Sequence, residues 1–213
     1  MPEYPDITVY IEKMRERIVG ETVEQIRLIS PFFLRTFEPP MDAFQNSVLE
    51  NIHRIGKRIV FDFGDERYLV LHLMVAGRLH WKSPSAALNR KIGLAAFDFV
   101  KGSLTITEAG TKKRAALHAV SGKEKLAAFD RGGLNVLEAD VDQFAQRLAL
   151  ENHTLKRTLT DPRLFDGIGN SFSDEILHAA KMSPTKLSQK MSLEEIERLY
   201  DACRSQLRLW TER

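Results

Sequence analysis

A chain of 213 residues with 43% hydrophobic side chains has enough apolar material for one large core or two small ones. No apolar run approaches the roughly 18 residues of a membrane span. The opening MPEYPDITVYIEKMRERIVG carries prolines and acids where a secretory leader needs a basic start and an apolar centre, so a cytoplasmic protein is expected. A net charge of +2 excludes a uniformly basic nucleic-acid binder, and the single Cys203 excludes an intramolecular disulfide and a CxxC metal site.

In chain order, the pattern predicts a helix capped by Asp6 and running to about Val19. Ile7, Tyr10, Ile11, Met14 and Ile18 lie on one face, and Gly20 stops it. Short alternating or apolar runs follow at Val23 to Ile29, Arg58 to Phe63, Tyr68 to Met74, Arg78 to Trp81, Leu94 to Val100, Ser103 to Thr107 and Ala115 to Val120. Gly64-Asp65, Lys101-Gly102 and Ser121-Gly122 are turn signals between them, and Ser83 to Lys91 reads as an exposed loop. Strands at such close spacing predict a β-sandwich or barrel. From Val141 the period changes to that of helices: Val141 to Glu151, Thr154 to Thr160, Ser173 to Lys181 and Leu193 to Trp210, the last opened by a Ser192/Glu195 capping box. The expected fold is α+β, with a β-rich domain over residues 1–132 and a helical domain over 133–213.

Two features carry chemistry. The chain opens Met1-Pro2-Glu3, and removal of the methionine leaves a secondary amine. An α-amine has a pKa near 8, so about a tenth is neutral and nucleophilic at pH 7. Such an amine attacks an electrophilic carbon to give an iminium ion, and Glu3 beside it is placed to move protons. The plain alternative is one of many Met-Pro starts without chemistry. Downstream, Gly167-Ile168-Gly169-Asn170 precedes a helix. Two glycines there suit a turn whose N–H groups face an anion, with Asn170 as a side-chain donor. The alternative is a glycine-capped helical hairpin. Basic residues gather at Arg54, Lys57 and Arg58, at Lys112, Lys113 and Arg114, and at Lys156 and Arg157. Each set fits phosphates or a solvated face. The six histidines show no HxxxH or HxH spacing, so no metal site is expected.

Together these features resemble the Fpg/Nei family, the formamidopyrimidine-DNA glycosylases and endonuclease VIII-like enzymes. Pro2-Glu3-x-Pro5 resembles the family's catalytic start, and Asp166-Gly167-Ile168-Gly169-Asn170 its helix-two-turn-helix element. Gly56-Lys57-Arg58 resembles its β-turn lysine, and His72-Leu73-Met74-Val75-Ala76-Gly77 the loop that fills the space left by a flipped base. The resemblance implies an N-terminal β-sandwich with a flanking helix, followed by a helical domain with that motif. It implies a base-excision-repair glycosylase and abasic-site lyase acting on damaged double-stranded DNA as a monomer. Pro2 is the implied nucleophile toward C1′, with a Schiff base and β,δ-elimination. Glu3 is the implied proton carrier, and Lys57, Gly169 and Asn170 are implied phosphate ligands.

The sequence also departs from the family pattern. Asp6 stands where a glutamate is usual. The methionine of the filling loop comes one place early, so Met74 or Val75 takes that role. The usual Asp-Pro-Arg-Arg-Phe-Gly turn is replaced by Thr107-Glu-Ala-Gly-Thr-Lys-Lys-Arg114, which leaves Lys112, Lys113 and Arg114 to reach the opposite strand without an aromatic wedge. Relatives often carry a structural zinc in a C-terminal finger. That module is absent from this sequence, which therefore implies no cofactor of its own and reads as a truncated longer protein in preference to a reduced member. The alternative function is a non-cleaving damaged-DNA binder or an inactive truncated form. RNA binding and tautomerase chemistry at Pro2 are more distant readings.

Overall fold

The computed structural model describes residues 1–213. It divides into two compact units, one of Met1–Pro2 with Ile7–Phe129 and one of Glu3–Asp6 with Asp130–Arg213.

Helix α1 spans Tyr4–Ile18, beginning two residues before the expected cap. Pro5 fits its first turn because the missing N–H has no intrahelical partner there. Asp6 is therefore not the cap. It is the third helical residue, and its Oδ2 accepts the Glu3 N–H at 2.9 Å, which is half of a capping box. Ile7, Ile11, Met14 and Ile18 form the buried face.

The strands are β1 (Thr22–Val23), β2 (Gln25–Leu28), β3 (Leu34–Thr36), β4 (Ser47–Val48), β5 (Asn51–Ile55), β6 (Arg58–Asp62), β7 (Arg67–His72), β8 (Gly77–Lys82), β9 (Gly93–Phe99), β10 (Gly102–Glu108) and β11 (Ala116–Ser121). A short helix α2 follows at Lys123–Ala127. One sheet has the order β2-β9-β10-β8 and the other β3-β11-β7-β6-β5, while β1 pairs with β4. The alternation of β6 and β7 turns Ile59, Phe61, Leu69 and Leu71 into the main core. Phe61 of one sheet meets Phe97 of the other edge-on at 5.3 Å, so the sheets form a sandwich. Val60, Tyr68, Val70 and Val120 face the other way and make a small second cluster with Leu126 and Phe129. The run expected over Val23 to Ile29 is split at Glu24, whose N–H bonds the Asp98 carbonyl instead.

The second unit holds α3 (Val141–Ala149), α4 (Leu155–Thr160), α5 (Asn170–Ala179) and α6 (Leu193–Glu212). Asp140 with Gln143 and Ser192 with Glu195 form complete capping boxes for α3 and α6. Phe144, Leu159, Phe165, Ile176, Leu199 and Cys203 fill the core. Burial pushes the Cys203 thiol up, which keeps it unreactive. Arg204 ties α6 to the connecting segment through the carbonyls of Val136, Leu137 and Ala139 at 3.1 to 3.2 Å. No helix is long and apolar enough to cross a membrane.

Candidate functional site

The turn between α4 and α5 is built by local bonds. The Leu164 and Phe165 N–H groups donate to the Asp161 carbonyl, and Gly167 adopts a φ of 76° that side chains disfavour. Its carbonyl accepts the Tyr4 N–H at 2.9 Å. The start of α5 then presents N–H groups that lack intrahelical acceptors. Glu3 takes three of them. Its Oε2 accepts from Gly169 at 2.6 Å and Phe172 at 3.1 Å, and its Oε1 accepts from Ser171 at 2.9 Å.

Glu3 is 1% exposed, and the positive end of α5 favours its charge. The anion held by the glycine turn is the chain's own carboxylate, to which the Gly169 N–H donates. Asn170 is exposed as the first residue of α5. Its carbonyl accepts the Lys156 ammonium at 2.6 Å, and Lys156 also pairs with Asp174 at 2.5 Å. A cation is therefore fixed beside Asn170. Pro2, one peptide bond before the anchored Glu3, is buried.

The first unit carries a separate basic row. Lys57 is the second residue of the two-residue β5–β6 loop, and Gly56 before it has a φ of 60°, the pattern of a type II′ turn. Lys57 is half-buried. Arg58 lies opposite His72 in the β6–β7 register. Its guanidinium stands 5.6 Å over the Phe129 ring and donates to the Phe129 carbonyl at 3.3 Å, while His118 meets that ring edge-on. Burial, then Arg58, Lys57 and His118, lowers the His72 pKa to about 4. His118 is lowered in the same direction by burial, Arg58 and Arg35. At neutral pH these rings are hydrogen-bonding groups among fixed cations.

The loop after β7 is closed by the Gly77 N–H to the Leu73 carbonyl at 2.9 Å. A Cβ on Gly77 would fall 2.3 Å from that oxygen, so only glycine fits. Met74 takes a left-handed φ of 53° and is half-buried, whereas Val75 is 56% exposed at the tip. Of the two candidates, Val75 is the one that projects. Ala76 lies about 4.0 Å from the space beside Gly110, which makes the Thr107–Arg114 loop its neighbour.

That second loop folds around Glu108, an acid 2% exposed that accepts the Arg114 and Ala115 N–H groups at 2.8 and 3.1 Å. The Lys113 ammonium bonds the Glu108 carbonyl and the Lys91 carbonyl, so Lys113 braces its own loop. Lys112 and Arg114 are exposed. The sequence reading missed the roles of Glu108, Phe129 and Asp174. A lone acid closing an otherwise hydroxyl-bearing and apolar strand was the available signal for Glu108.

Comparison with known proteins matches residues 1–168 to the formamidopyrimidine-DNA glycosylase N-terminal domain and residues 135–211 to the formamidopyrimidine-DNA glycosylase H2TH domain. A formamidopyrimidine-DNA glycosylase of Mycoplasma genitalium is 28% identical over 201 residues, covering 92% of this chain and 70% of the relative. That of Exiguobacterium sibiricum is 28% identical over 210 residues, covering 95% and 75%. Among solved structures, the Lactococcus lactis enzyme bound non-covalently to DNA containing an AP site superposes with a TM-score of 0.89 at 25% identity, covering 99% of this chain and 82% of that one.

Proposed function

Because the chain belongs to the formamidopyrimidine-DNA glycosylase family, we propose that it removes oxidised bases from duplex DNA in the cytoplasm and then cleaves the abasic strand, with Pro2 as nucleophile. The observation that carries this reading is the seating of Glu3. Three N–H groups hold its carboxylate, and consecutive Cα atoms are about 3.8 Å apart, so the residue before it is held by a short covalent tether. A preorganised amine reacts faster than a mobile one because its orientation is set before substrate arrives.

In the proposed sequence the Pro2 nitrogen attacks C1′, and the electrons of the glycosidic bond leave with the base. The sugar ring opens to an iminium ion. Loss of a proton from C2′ expels the 3′ phosphate, and a second elimination expels the 5′ phosphate. The target nucleotide must leave the stack for this attack. Val75 is the wedge that enters the space it vacates, and Lys112 and Arg114 approach the opposite strand. Lys57, neutral His72 and Asn170 with Lys156 hold phosphates. Glu3 acts chiefly by position, and any proton it carries passes through Oε1, which accepts one bond where Oε2 accepts two. Asp6 supports this by fixing the Glu3 N–H.

Borohydride trapping tests the reading. The chain is expected to become covalently linked to duplex DNA bearing an oxidised purine or an abasic site. Pro2→Gly, or one extra residue ahead of Pro2, is expected to abolish the adduct. Binding of abasic DNA in a gel shift without any trapping would instead assign a non-cleaving damage binder.

A further inference from the structure

Strand β8 ends its sheet, so one side of its backbone has no strand partner. Beside it, between β8 and α1, lies a cavity of about 280 Å³, near the lower limit of ligand-sized pockets. Its floor is apolar, from Met14, Ile18, Leu79 and Leu104, and its walls carry Tyr10 and Trp81. The rim is cationic. Lys13 and Arg17, one helical turn apart on α1, border it, and no acidic residue lines it. Lys13 is paired with Glu16 at 3.0 Å, but both side chains are 59% exposed, so that pair exchanges at little cost. On β8 itself, His80 and Lys82 alternate with the inward Leu79 and Trp81 and are exposed.

We propose that this edge is a docking site for an extended, acidic segment of a partner protein, which adds to β8 as a strand and places one bulky apolar side chain in the cavity. Strand addition supplies main-chain hydrogen bonds along Leu79 to Trp81, and the cavity selects the side chain that anchors it. Lys13, Arg17 and Lys82 supply the charge complement to flanking Asp and Glu. A DNA backbone fits less well, because phosphate has no use for an apolar cavity and a duplex offers no extended peptide to pair with the edge. The site shares no residue with the groups assigned to base excision.

The test uses the full chain and a fluorescein-labelled nonapeptide, Asp-Thr-Glu-Val-Phe-Val-Asp-Thr-Glu, followed by anisotropy and hydrogen exchange. Saturable binding is expected, with slowed exchange of the amides from Gly77 to Lys82. The double variant Lys13→Glu with Arg17→Glu is expected to weaken it about tenfold or more. Replacing the peptide's Phe by Ser is expected to do the same, while borohydride trapping on abasic DNA is unchanged. The proposal is overturned if the peptide does not saturate, if the double variant binds it equally well, or if the Gly77 to Lys82 amides gain no protection. It is likewise overturned if undamaged duplex displaces the peptide and is itself weakened by the double variant, which would make the face a nucleic-acid surface.

Discussion

Glu3 is a buried acid whose hydrogen-bond donors are all backbone N–H groups. Glu3→Ala leaves those of Gly169, Ser171 and Phe172 without an acceptor. Bonds to a charged group are worth roughly 1.5 to 3 kcal/mol each, so a loss of about 3 kcal/mol or more is expected in urea denaturation. Glu3→Gln keeps the shape but turns an NH₂ donor toward N–H donors, and it is expected to fall between the two. His72 predicts a pH dependence. Its folded pKa is about 4, while an unfolded imidazole titrates near 6.5. Between these values the unfolded chain binds more protons. The contribution is therefore complete above pH 6.5 and fades as pH falls toward 4, by at most about 3 kcal/mol. Urea midpoints measured from pH 7 to pH 4.5 should decline less steeply in His72→Gln. The place of Lys57 in a turn ahead of an apolar strand was legible through the resemblance carried by Gly56-Lys57-Arg58. The true partner of Gly169 was not legible. Helix N-termini accept any anion, and nothing local says that a carboxylate 166 residues away will reach it.

The elements most visible in the sequence were those with one buried face and one clear period. Helix α6 follows that rule, whereas the interiors of β6, β7 and β9 are buried on both faces and show in the sequence as short apolar runs. Strand β5 escaped because it is an edge strand, and Asn51, His53 and Arg54 leave only two apolar residues in five. Helix α2, at five residues, is too short to show a period. The start of α1 was misplaced because Asp6 looks like a cap, whereas a third-position acid reaching back gives the same local pattern. The loop after β7 makes a sharper prediction. Gly77→Ala drives a methyl group into the Leu73 carbonyl, so the loop must open and carry Val75 with it. A loss of about 2 kcal/mol in thermal or urea unfolding is expected. Excision at a mispaired lesion should suffer more than binding to single-stranded DNA, which has no partner strand whose stacking must be restored.

For the molecule as a whole, a net charge of +2 gives little general attraction to DNA, so affinity rests on a few gathered cations. Binding should then show a modest salt slope, and Lys57→Met should reduce that slope by about 1. Titration of damaged and undamaged duplex from low to moderate salt checks this. The variant should weaken both to a similar degree, because a phosphate contact carries no sequence information. The change from strands to helices was plain in the sequence at Val141, but the assignment of Glu3–Asp6 to the helical unit was not, since chain order places them at the opposite end. That assignment has a consequence for synthesis. A chain leaving the ribosome delivers Glu3 almost first, but Phe172, the last of its three donors, emerges only when about half of the helical unit is made. A product of premature termination therefore has a loose amino terminus, and the seating of Glu3 waits for translation to pass the start of α5.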